Sequence, residues 1–149
     1  MSELKDRLTA DMKAAMKSGD KALLGTVRMV LAAIKQREVD ERIELSDADV
    51  LAIVEKAIKQ RRESLAQFEA ANRDDLAAKE REEIAQLMPY LPAQLSEAEI
   101  GSAIDAAIAE TGAEGMRDMG KVMGLLKGRM QGQADMSAVS AMLKDKLSA

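Results

Sequence analysis

Apolar residues recur every three or four positions along the chain, and no stretch alternates with period two for long enough to read as a strand. The pattern therefore predicts an all-α protein. Leu4, Leu8, Met12 and Ala15 form the stripe of a first helix over about 2–17, closed by the turn at Ser18, Gly19 and Asp20. A second helix over about 20–38 carries Leu23, Leu24, Val27, Val30, Leu31 and Ile34 on its buried face. Ser46, followed by acids, N-caps a third helix that Val50, Leu51, Val54, Ile58, Leu65 and Phe68 carry to about residue 71. The fourth, over about 74–87, stops ahead of Pro89.

Pro89 and Pro92, the only two prolines, fall together in MPYLPAQLS, which a helix does not easily cross. Directly after them, Ser96 and Glu99 have the spacing of a capping box, which starts a fifth helix that Gly112 ends. A sixth helix is expected over about 116–131, and a seventh over about 136–147 with Asp135 as its N-cap. The expected plan is a four-helix N-terminal unit, residues 1–92, joined by the proline-containing linker to a three-helix C-terminal unit, residues 93–149.

Composition narrows the chemistry. The 149 residues include no cysteine and no histidine, which removes disulfides, thiolate metal sites and the commonest general base and metal ligand. No catalytic residue, metal or cofactor is expected. One Phe, one Tyr and no Trp leave no set of aromatic platforms for stacking single-stranded bases. There is no long apolar run and no charged-then-apolar leader, so no membrane association is expected and the chain reads as cytoplasmic.

The net charge of −4 hides a segregation. Residues 91–116 hold five acids and no base, whereas residues 117–146 hold six bases against three acids. The C-terminal stretch is locally basic.

Charges also enter the apolar stripes of the third and fourth helices. Folded as a hairpin about Arg73, these helices bring Arg62 opposite Glu83, with Glu80 one turn away. Glu80 and Glu83 have the spacing of paired carboxylates for acid–base work, but an adjacent arginine favours a structural ion pair of Arg62, Glu80 and Glu83. The basic run KQRRES at 59–64 could form an RNA patch, but with acids at Glu55 and Glu63 it reads as solvated or ion-paired surface. Met116, Met119, Met123 and Met130 fall at helical spacing and read as core filling.

The least ordinary stretch is DMGKVMGLLKGRMQGQAD at 118–135, with glycine at 120, 124, 128 and 132. At 100° per residue the glycines form one inclined ridge between about 0° and 120°, while Met119, Met123, Leu126 and Met130 gather between about 240° and 300°. Arg117 and Lys121 project among the glycines, and Lys127 lies at the margin. Two readings fit such a ridge: a surface that a phosphate backbone approaches closely, or a seam for another helix.

The segment TVRMVLAAIKQREV, the block from RRES through NRDDLAAKEREEIAQLMPYLPAQLS, and the terminal DMGKVMGLLKGRMQGQADMSAVSAMLKDKL together resemble the GatB/YqeY family, specifically its stand-alone YqeY-like proteins. The likeness covers essentially the whole chain. It implies two helical units, the second similar to the tail domain of the B subunit of tRNA-dependent amidotransferases, which helps bind the mischarged tRNA. A similar module is appended to some glutaminyl-tRNA synthetases. Carried onto this sequence, the resemblance makes Arg117, Gly120, Lys121, Gly124, Lys127, Gly128 and Arg129 the candidate RNA-binding residues. The amidotransferase's catalytic cradle, with its ATP and metal site, has no counterpart here.

Three functional readings follow. The first is a tRNA-binding or amidotransferase-related accessory protein that acts through the C-terminal unit. The second is a component of a carbon–nitrogen ligase with glutamine as amide donor, active only with an amidotransferase or glutaminyl-tRNA synthetase partner. The third is a protein-interaction module with no RNA role.

Overall fold

The computed structural model describes residues 2–148, and every regular element within them is helical. In order these are α1 (Glu3–Ser18), α2 (Lys21–Glu41), α3 (Asp47–Ala70), α4 (Asp74–Leu87), a 3₁₀ turn at Met88–Tyr90, α5 (Glu97–Thr111), a second 3₁₀ turn at Met116–Asp118, α6 (Met119–Met130) and α7 (Met136–Ser148). Backbone contacts divide the chain into two units, Met1–Leu91 and Pro92–Ala149.

Local chemistry sets the helix ends. Ser2 caps α1 by accepting from the Lys5 amide at 3.1 Å. Both capping boxes close reciprocally. Ser46 Oγ accepts from the Asp49 amide while Asp49 accepts from the Ser46 amide, and Ser96 and Glu99 repeat the exchange at the start of α5. Asp135 accepts from the Ser137 amide at 3.0 Å at the start of α7. Gly112 ends α5 at φ +67°, where a side chain is disfavoured.

In the first unit, Leu8, Val27, Val30, Ile34, Val50, Val54, Ile58 and Leu87 form the core. Leu45, in the loop after α2, joins them at 1% exposure. Its place is set by Glu38, whose carboxylate accepts from the Leu45 amide at 2.9 Å and from Lys5 Nζ at 2.7 Å. The Lys5 ammonium first, and the Leu45 amide second, hold the Glu38 carboxyl below its usual range. The helix α2 runs past the expected end at 38 to Glu41.

The ion pair of the α3–α4 hairpin differs from the expectation by one residue. Arg61, not Arg62, sets its Nε 3.0 Å from Glu83 Oε2, with both side chains largely buried at 10% and 22% exposure. Arg61 also donates to the Ala57 carbonyl at 2.8 Å. Arg61 projects about 20° from Val50, inside the stripe of Val50, Val54 and Ile58, whereas Arg62 falls about 100° further round and is exposed. Glu80, half-buried on α4, takes no part in the Arg61–Glu83 bond.

Tyr90, between the two prolines, belongs to the first unit's core at 6% exposure. Its hydroxyl donates to Asp11 Oδ2 at 2.5 Å, and the Arg7 guanidinium lies 4.7 Å from the ring centre. Burial first, and then the Asp11 carboxylate, push the Tyr90 phenol well above its ordinary value. A raised native pKa favours the neutral form, so this stability is present below the ordinary tyrosine value of about 10 and is lost as pH rises beyond it. Tyr90→Phe is expected to cost about 1.5–3 kcal/mol in urea denaturation at pH 7. It should also give a shallower loss of stability above pH 10 than the parent. An unchanged alkaline slope would assign that loss to other groups.

The second unit packs Ile100, Ile104 and Ala107 of α5 against Val122, Leu126 and Met130 of α6 and Val139 and Leu143 of α7. The segment after Pro92 is tied down by Gln94 Nε2, which donates to the Gly132 carbonyl at 2.6 Å, and by the Leu95 amide, which donates to the Gln133 carbonyl at 2.8 Å.

Candidate nucleic-acid interface

The sixth helix is shorter at both ends than its periodicity suggests. Residues 116–118 form a 3₁₀ turn, and α6 proper runs from Met119 to Met130. Two consequences alter the expected ridge. Gly132 lies beyond the helix, buried in the α6–α7 turn at φ +76°, so it serves the turn and not the ridge. Arg117 sits in the 3₁₀ turn and pairs with Glu114 at 3.5 Å and Asp118 at 4.0 Å. Met116, in the same turn, is 43% exposed, unlike Met119, Met123 and Met130, which pack into the second core.

Gly120, Gly124 and Gly128 remain as an inclined strip about 12 Å long. All three are exposed, and a Cβ built on any of them would meet nothing within 4 Å. Helix packing within the second unit is therefore not what the glycines serve. The buried residues Val122, Leu126 and Met130 project between about 200° and 280° on the scale that puts Gly120 at zero, so the strip faces away from the core.

The cations around the strip have different duties. Lys121 Nζ donates to the Thr111 carbonyl at 3.4 Å, where it serves the C-terminal end of α5. Arg129 projects about 180° from Gly120, on the far side, and bonds Glu110 of α5. Lys127 is exposed at the edge of the strip and makes no ion pair among the described residues. The structure thus gathers Gly120, Gly124, Gly128, Lys121 and Lys127 on one face and places Arg117 and Arg129 in ion pairs elsewhere. The acids of α5 were visible as a base-free run, but the pairing of Glu110 with Arg129 and of Asp105 with Lys146 was not.

Among the described residues, no helix is long and apolar enough to cross a membrane, and no group of three His, Cys, Asp or Glu side chains could hold a metal ion. The strip can offer helix backbone at close range and one or two ammonium groups. That is a surface for contact rather than for bond-making.

Comparison with known proteins places the chain. A protein of Pyrenophora tritici-repentis named altered inheritance of mitochondria protein 41, mitochondrial, is 32% identical over 147 residues, covering 96% of this chain and 80% of the relative. The proteins of that name from Vanderwaltozyma polyspora and Eremothecium gossypii are 34% and 37% identical, over 56% and 69% of this chain. Against those two, the chain spans 46% and 58% of the relative's length. The expectation of a cytoplasmic protein does not stand, because all three relatives are named as mitochondrial. It rested on composition and on the first residues, which do not separate cytoplasm from a mitochondrial compartment. A family model described as Yqey-like protein matches residues 5–147, and the chain belongs to the YqeY-like family.

Proposed function

We propose that the chain is a tRNA-binding accessory protein whose C-terminal three-helix body meets the phosphate backbone through the α6 strip, in the manner of an amidotransferase tail domain. The observation that carries this reading is the open strip of Gly120, Gly124 and Gly128 with lysines at its two edges. Side chains that would hold a ribose–phosphate backbone at a distance are missing there, while the cations needed to neutralise it stand beside the gap. With so few aromatic residues in the chain, recognition rests on shape and phosphate contact instead of stacked bases.

Mobility shift with a tRNA pool tests the reading. Binding at low salt should weaken steeply with added salt, by about the slope expected for two or three phosphates. Lys127→Glu should weaken it about tenfold and Lys121→Glu less, because Lys121 is partly engaged by the Thr111 carbonyl. No shift at low salt, or a shift indifferent to Lys127→Glu, would remove the proposal.

The strip is equally open to a partner helix, which keeps a second reading: docking onto an amidotransferase or glutaminyl-tRNA synthetase that supplies the chemistry of carbon–nitrogen ligation. Salt separates the two, since helix packing is nearly indifferent to it. Co-purification of such a subunit, unaffected by nuclease, would favour the second.

A further inference from the structure

The first unit carries a feature that the RNA reading does not use. On α2 the residues Lys21, Gly25, Met29, Ala33 and Arg37 stand four apart and so form a single row about 24 Å long. Two clefts open along this row. One, about 480 Å³, lies towards α4 around Gly25, Lys79, Glu82 and Gln86. The other, about 370 Å³, lies towards α3 and has Met29, Val30, Ile53 and Ala57 as its apolar wall.

We propose that this face of α2 docks an acidic amphipathic helix of a partner protein. Three observations lead there. Small residues, Gly25, Ala33 and Ala57, leave room for a helix to approach, and the row is too long for a small ligand to fill. Met29 is 43% exposed at the centre of the row, with its sulfur 2.9 Å from Arg61 Nη2, so an adaptable apolar side chain is held in place at the surface.

Charge selects the occupant. Arg37 is engaged by Glu41 and Asp49, and Arg61 by Glu83. Lys21, Lys56 and Lys79 also line the clefts and make no ion pair among the described residues, against Glu82 as the one lining carboxylate in that position. A surplus of uncompensated lysines beside an apolar wall, on a chain of net charge −4, complements a helix bearing leucines on one face and carboxylates at its flanks.

The test uses the full isotope-labelled chain and a synthetic peptide of about 18 residues with leucine at helical spacing and glutamate elsewhere. A control peptide carries lysine in place of glutamate, and polyuridylate serves as a second polyanion. The acidic peptide should shift the amides of Gly25, Ala33 and Ala57. The control peptide should bind about tenfold more weakly, and the paired Lys21→Glu and Lys56→Glu variant, exposed positions that leave the fold intact, should lose a similar factor. Lys127→Glu, which tests the RNA reading, should leave peptide binding unchanged. The proposal fails if the two peptides bind alike, if the acidic peptide shifts other amides or none, or if polyuridylate shifts the same amides as strongly.

Discussion

Arg61→Leu is expected to lower the urea stability of the chain by about 2–3 kcal/mol, whereas Arg62→Leu should change it by less than about 1 kcal/mol. Removing one member of a buried pair leaves the other charge short of compensation, which costs about 3–5 kcal/mol when burial is complete. Glu83 retains 22% exposure in its side chain, so water recovers part of that cost and the lower figure applies. Arg61→Leu combined with Glu83→Leu should regain most of the loss, because the stranded carboxylate is gone. Equal destabilisation by the Arg61 and Arg62 variants would mean that α3 is rotated from the arrangement described.

That one-residue difference shows what periodicity can and cannot resolve. Helical class, the Ser46 N-cap, the capping box of Ser96 and Glu99 and the halt of α4 ahead of Pro89 depend on local chemistry, and the sequence displays them directly. Choosing between Arg61 and Arg62 needs the angular position of a residue on a helix of 24 residues to within about 100°, and a mirror argument about the hairpin turn does not supply it. Leu45 was illegible for another reason. It lies in a loop, and its burial is imposed by a long-range partner, Glu38, reaching across the end of α2.

The candidate interface was legible in part. Projection placed the glycines opposite the core, and the structure keeps three of them there. It carried the helix too far at each end, so Gly132 and Arg117 were counted into the ridge although a turn at each end claims them. Nor does projection of a single helix reveal that Arg129 and Lys121 are engaged by α5. The chemistry that survives is narrower, a side-chain-free strip with Lys127 at one edge and Lys121, donating to the Thr111 carbonyl, at the other.

Replacing Gly120, Gly124 and Gly128 together by alanine is expected to stabilise α6 by about 1.5–3 kcal/mol, a sum of about 0.5–1 kcal/mol per interior glycine. Gly120, in the first turn, should contribute least. The gain is available because none of the three has a positive φ and, beyond the helix's own adjacent backbone, nothing lies within 4 Å of the added methyl groups. Packing within the unit therefore supplies no reason for glycine at these positions, and the proposed tRNA contact would supply one. On the proposed reading the same three methyl groups would occupy the space meant for the phosphate backbone, so tRNA affinity should fall about tenfold while the melting temperature rises. The two signs separate the explanations. Higher stability with unchanged tRNA binding would leave the strip without an RNA ligand, and a loss of stability would show that the glycines are packed after all.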